Sequence, residues 1–149
     1  MDIVIRKIQE DELPVAIDGA REFITDAKLG EFKEEAFLKH WGDALRYGFG
    51  SMWVCFLDSV PACGLAGYIS PDPNNGEIVF TEAFFYSVKG KEGYGSRLLK
   101  HVENELKNAG VIDRMYMFSR LDYMEDRVAT LYHKMGYIAK EIFWEKVLN

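Results

Sequence analysis

Apolar and polar residues vary along this chain with two periods, one suited to strands and one to helices. Residues 3–8, Ile-Val-Ile-Arg-Lys-Ile, read as a first strand. Glu10, Asp11 and Glu12 followed by Pro14 make a helix start, because acidic side chains and an early proline both suit a first turn. Val15, Ala20, Phe23 and Ile24 give that helix an apolar side, and Lys28 to Glu31 interrupts it. In a second helix Phe37, Trp41 and Leu45 recur every four residues, until Tyr47-Gly-Phe-Gly50 ends it.

Residues 51–57 and 62–69 are apolar strands with hairpin spacing, joined by Asp58-Ser-Val-Pro61. Pro71 to Gly76 is the densest turn signal in the chain and returns the backbone into an apolar strand that begins at Ile78. A glycine-rich corner, Gly90-Lys-Glu-Gly-Tyr-Gly-Ser96, leads into a helix with Leu98, Leu99, Val102 and Leu106 on one stripe, and Gly110 stops it. A fifth strand is expected over 112–119. A short helix follows over 122–135, with Val128, Leu131, Tyr132 and Met135 on one side and Gly136 at its end. Residues 137–148 are expected to form the last strand.

The expected order is β-α-α-β-β-β-α-β-α-β. Hairpin-spaced strands run antiparallel, whereas the strands at 78–88 and 112–119 are separated by a crossover helix and should run parallel. The fold class is therefore a mixed α/β (α+β) sheet, mostly antiparallel with one parallel pair and with helices on both faces. At 149 residues the chain has the length of a single domain, 1–149.

Composition narrows the partners. A hydrophobic fraction of 48% argues for a folded globule. The net charge of −6 disfavours nucleic acid and anionic lipid surfaces. Cys55 and Cys63 lie in apolar segments, which suits reduced, buried thiols in a cytoplasmic protein. The N-terminus has no leader pattern, and no apolar run approaches the roughly 20 residues that span a bilayer.

The glycine corner carries the first candidate chemistry. Gly93 and Gly95 allow a bound group to approach the backbone, and the start of a helix offers unpaired N–H groups and partial positive charge. Such a corner suits a phosphate or diphosphate, and it also occurs as a plain structural turn. Ligands of open α/β sheets bind beyond the carboxyl ends of parallel strands. The corner lies there, as do Ser119 and Arg120.

On these residues the chain resembles the GCN5-related N-acetyltransferases (GNATs). Gly93-Tyr-Gly95 matches the Gly-x-Gly of the family's acetyl-CoA signature, Ser96-Arg-Leu-Leu99 continues it, and Ala129 to Tyr137 resembles the family's Leu-Tyr-x-Lys-x-Gly-Phe segment. The chain departs from the pattern at Gly90, where the family has Gln or Arg, and at Lys91, where it usually has glycine. It departs again at Glu125, where the family often places a pantetheine-binding Asn.

The resemblance implies a GNAT-type fold with the parallel pair splayed around the coenzyme. It implies direct transfer of acetyl from acetyl-CoA, bound as co-substrate, to a primary amine of a small molecule or protein. It places Lys91, Glu92, Gly93, Tyr94, Gly95 and Ser96 at the diphosphate, with Ser119 and Glu125 also at the coenzyme. It places a backbone N–H near Phe85 or Tyr86 on the thioester carbonyl, and Tyr132 as proton donor to the departing thiolate. The attacking amine must be neutral, against a solution pKa near ~10.4, and a carboxylate can take its proton. Glu82, the carboxylate within the apolar fourth strand, is the candidate. Alternation puts it with Phe80, Phe84 and Tyr86 on one face, where aromatic surroundings should raise its pKa.

His40, His101 and His133 are too far apart for a local metal motif, so no metal is expected. Neither cysteine sits beside a histidine or a helix start, as a nucleophile would. Trp144 in the last strand is a candidate for packing or for meeting a partner in a homodimer. The competing function class is a GNAT-fold protein that binds acyl-CoA, or serves as an interaction module, without catalysis.

Overall fold

The computed structural model describes residues 1–110, 112–120 and 125–148, and the side chains of Glu125 and Asp126 fall outside that description. The chain divides into two compact units, Met1–Phe118 and a second beginning at Ser119.

In the first unit, β1 (Ile3–Lys7) is followed by a 3-10 helix (Glu10–Ala16), α1 (Ile17–Asp26) and α2 (Glu34–Tyr47). Then come β2 (Gly50–Leu57), β3 (Val60–Pro71), β4 (Ile78–Ser87), α3 (Gly95–Ala109) and β5 (Arg114–Tyr116). The five-stranded sheet has the order β1-β2-β3-β4-β5. Its first three pairings are antiparallel and β4–β5 is parallel, as the spacing predicts. The β2–β3 turn is tighter than expected. Asp58 and Ser59 both have positive φ, and Leu57 already faces Val60. That is the turn whose twist matches a hairpin.

The sheet is covered on both faces. Helix α1 packs on β4, α2 on β2, and α3 on β2 and β3. Trp53, Phe80, Leu98 and Leu99 are fully buried on the α3 side. Phe84 anchors the other side, its ring 6.4 Å from Phe23 of α1 and 5.9 and 5.5 Å from Phe37 and Trp41 of α2.

One irregularity in β4 changes the expected facing. Gly67 pairs with Glu82 and Ala66 with Phe84, so Ala83 is an extra residue on β4. A bulge of this kind breaks strict alternation. Glu82 stays in phase with Phe80, whose ring is 5.8 Å from Trp53, while Trp53 donates a hydrogen bond to Glu105 of α3. Phe84 and Tyr86 turn to the α1–α2 face. The expectation of one shared face for Phe80, Glu82, Phe84 and Tyr86 is thus corrected. Every one of them is buried because the sheet is covered on both sides.

The fifth strand is also shorter than expected, three residues instead of 112–119. Its start is pinned: Asp113 Oδ2 accepts the Ile78 N–H at 2.8 Å, and Arg114 pairs with Glu77. The ladder with β4 then stops at the Thr81–Tyr116 pair.

The second unit contains α4 (Glu125–Lys134); the residues expected at 122–124 to begin this helix lie outside the described ones. Tyr132 is buried, with its ring 5.3 Å from that of Tyr137. The expected strand over 137–148 is not formed. No helix among the described residues is long and apolar enough to cross a membrane.

The Tyr86 ring is wedged between two glycines. A Cβ on Gly19 would lie 2.0 Å from the ring, and one on Gly64 would lie 2.6 Å from it on the other strand. The ring cannot retreat from one without meeting the other. Gly19→Ala should therefore cost about 1–3 kcal/mol by overpacking. Urea unfolding should show a lower midpoint at unchanged slope, and a midpoint equal to the parent's would contradict this packing.

Candidate active site

The functional candidates of the first unit meet at two adjoining features, the fork between β4 and β5 and the glycine corner that opens α3. At the fork, Ile78 uses both its N–H and its carbonyl on Asp113, so even-numbered residues before the bulge direct their main chain toward β5. In a continued parallel ladder the Phe118 N–H would meet the Glu82 carbonyl. It donates instead to Glu82 Oε1 at 3.1 Å. The buried carboxylate thus stands in for a main-chain acceptor where the two strands part.

The bulge then reverses which main-chain groups face the fork. Val88 donates to the Ala62 carbonyl at 2.8 Å, which places Val88, Tyr86 and Phe84 in bonded register with β3. The N–H groups of Phe85 and Ser87 therefore point away from β3, to the side from which β5 has diverged. Of the two residues named for the carbonyl-binding amide, Phe85 has this direction and Tyr86 does not. Burial also pushes the Tyr86 phenol up, and its hydroxyl has no hydrogen-bond partner among the described residues.

At the corner, Gly90 has φ +84°, a left-handed conformation suited to glycine. Lys91 donates to the Val88 carbonyl, Tyr94 to that of Lys91, and Gly95 to that of Glu92. The Gly90 N–H donates to Glu92 Oε1 at 3.1 Å. The amides of Gly90, Lys91, Tyr94 and Gly95 are thus engaged within the corner itself, which leaves fewer unpaired N–H groups there than the sequence predicts. The donors available to an anion are those of Gly93 and of the turn of α3 that follows Gly95, where helix N–H groups lack an intrahelical carbonyl.

Gly93, Ser96 and Lys91 are exposed here, and nothing lies within 4 Å of a Cβ built on Gly93. Ser96 Oγ donates to the Gly93 carbonyl at 3.4 Å, and Tyr94 directs its hydroxyl to Met1 Sδ rather than to the corner.

Gly95 joins the two features. A Cβ there would lie 3.4 Å from the Phe85 ring and from Ser87 Oγ. Sequence reasoning missed Ser87, although it follows Phe85 by two residues and so shares its direction. In the second unit, Ser119 is exposed, Tyr132 is buried, and Glu125 opens α4.

The cysteines lack the exposed, electropositive setting of a reactive thiol. Cys55 and Cys63 face each other across β2 and β3 as free, buried thiols, and burial pushes both pKa values up, Cys63 the more strongly.

No family model matches this chain, and no curated protein sequence does. Its fold is that of solved acetyltransferases. An aminoglycoside acetyltransferase from an uncultured soil metagenomic sample superposes with a TM-score of 0.78 at 13% identity, with 100% of each chain covered. A predicted acetyltransferase from Clostridium acetobutylicum, solved with acetyl-CoA, gives 0.75 at 13% identity over 98% of this chain and 96% of that one. The ribosomal-protein-alanine N-acetyltransferase of Brucella melitensis biovar Abortus 2308 gives 0.76 at 12%, over 99% and 100%. The GNAT-type fold implied by the sequence is thereby shown.

The Glu82–Phe118 contact predicts a graded response. Glu82→Ala removes the acceptor of the Phe118 N–H and should cost about 1–3 kcal/mol. Glu82→Gln keeps an amide oxygen in the same place and should cost less. Urea midpoints that fall in the order parent, Gln, Ala support the role of this carboxylate at the fork; identical midpoints contradict it.

Proposed function

We propose that this protein is an acetyl-CoA-dependent N-acetyltransferase that passes the acetyl group directly to a primary amine within a ternary complex. The observation that carries this reading is the pairing of an open β4 edge at Phe85 and Ser87 with the Gly93–Gly95 corner, joined by the Gly95–Phe85 contact. The reading gives the coenzyme diphosphate the Gly93 N–H and the first turn of α3, with exposed Lys91 as the nearby cation. It gives the thioester carbonyl the Phe85 N–H, a donor already held in place by the sheet.

Glu82 is the proposed base. It is buried at the fork with Oε1 on the Phe118 N–H, and it takes the proton of the attacking amine directly or through water. Tyr132 is assigned to protonate the leaving thiolate on the family resemblance alone, and the coenzyme roles of Ser119 and Glu125 have the same basis. Known neighbours act on different amines, an aminoglycoside in one name and a protein alanine in another. The acceptor class is therefore a primary amine, and the net charge of −6 suits a cationic one. The two free thiols suit a reducing cytoplasm.

One observation favours the second reading, a non-catalytic member of the fold. The Glu92 carboxylate already holds the Gly90 amide and sets a negative charge beside the anion's place.

Calorimetry with acetyl-CoA, followed by thiol release in the presence of an amine panel, decides between them. The expected result is micromolar binding and amine-dependent release. Gly95→Val should abolish binding, because its γ-methyls would enter the space of Phe85 and Ser87. Absence of binding to the folded parent would overturn the enzyme and favour the second reading. Glu82→Gln should lower kcat by roughly 10²-fold or more, with acetyl-CoA affinity little changed. An unaltered pH–rate profile in that variant would remove Glu82 as base.

A further inference from the structure

The glycine corner already holds an anion of its own. Glu92 folds back so that its Oε1 accepts the Gly90 N–H at 3.1 Å. A carboxylate oxygen on a main-chain amide makes the same kind of contact that a phosphate oxygen makes. Gly90 presents that amide at φ +84°, a conformation open to glycine without strain. The surroundings favour negative charge. Residues 89–100 carry four cations, Lys89, Lys91, Arg97 and Lys100, against the single carboxylate of Glu92, in a chain whose net charge is −6. All four cations are exposed. Helix α3 brings the positive end of its dipole to the same place, with no acidic residue in its first turn and no side chain capping it.

We propose, on the reading that acetyl-CoA occupies this corner, that Glu92 sets the affinity for the coenzyme by standing in for its diphosphate. The carboxylate holds the Gly90 N–H while the coenzyme is away and yields it when the diphosphate arrives.

Two consequences follow from the exchange. Binding trades one charge-assisted hydrogen bond for another, so the diphosphate gains less than it would from an amide with no competitor. The carboxylate must also move aside, because two anions at one donor repel. Departure is helped by the same contact. As CoA leaves, Glu92 recaptures the Gly90 amide, and the competitor raises the dissociation rate, where most differences in affinity lie. Product release limits turnover in many enzymes. The contact that favours a non-catalytic protein thus gains a role within turnover, as the residue that keeps the coenzyme exchangeable.

Calorimetry on the parent, Glu92→Ala and Glu92→Gln tests this, with two probes: acetyl-CoA, and S-acetylpantetheine, which ends before the diphosphate. Glu92→Ala removes both charge and acceptor and should bind acetyl-CoA about tenfold more tightly than the parent, the scale of one competing hydrogen bond, with slower CoA dissociation in stopped flow. Glu92→Gln keeps an oxygen for the Gly90 N–H and should fall between the two. S-acetylpantetheine should show no gain in either variant. A folded Glu92→Ala that binds acetyl-CoA no more tightly than the parent overturns the proposal, and binding by the parent then leaves the coenzyme reading in place. Glu92→Gln is held to the same criterion if the alanine variant does not fold. A matching gain for S-acetylpantetheine also overturns the proposal, since the effect would then lie away from the diphosphate. Binding by Glu92→Ala but not by the parent supports it, with Glu92 as a complete block. No binding by any folded chain overturns the proposal and the coenzyme reading together.

Discussion

The parallel ladder between β4 and β5 lasts only from Val79–Arg114 to Thr81–Tyr116, and the candidate site depends on where it stops. Parallel strands that kept pairing would consume the main-chain groups of β4 as far as Ser87. The stop is held from both directions. Asp113 and Arg114 fasten β5 to the beginning of β4, while the Glu82 carboxylate takes the Phe118 N–H that the next rung would have used. The carboxylate at this position thus gives that N–H an acceptor where the strands part.

The bulge at Ala83 is the companion device. Without it, the amides directed toward the fork would be those of Phe84 and Tyr86, and Phe85 would bond to β3. With it, Phe84 and Tyr86 swing into the packing under α1 and α2, where Tyr86 fills the space left by Gly19 and Gly64. Phe85 meets Gly95 on the other face, which brings the open edge of β4 against the start of α3. One inserted residue therefore sets both the core packing and the direction of the proposed carbonyl donor.

Much of this architecture was legible in the residues. The element order as far as α4, the hairpin at Asp58 and Ser59, the glycine corner and the parallel crossover all follow from periodicity and turn chemistry. The bulge was not legible. Both faces of β4 are covered, so Phe80, Glu82, Phe84 and Tyr86 are apolar or buried whichever way they face. The return of Glu92 onto Gly90 was equally hidden, because a carboxylate two residues after a glycine has no distinctive pattern. The strand expected at 137–148 is not formed, because alternation describes a segment's fitness for a sheet and does not by itself supply the pairing that makes a strand.

The account turns on whether acetyl-CoA is received by the main chain of β4 and the α3 corner. Amide-resolved NMR of the labelled chain, titrated with acetyl-CoA, asks this directly. Saturable shifts at the N–H groups of Phe85, Ser87, Gly93 and Ser96, with Tyr86 little moved, are the predicted result. A titration that leaves those amides in place, or moves only residues away from the fork and the corner, would contradict the account.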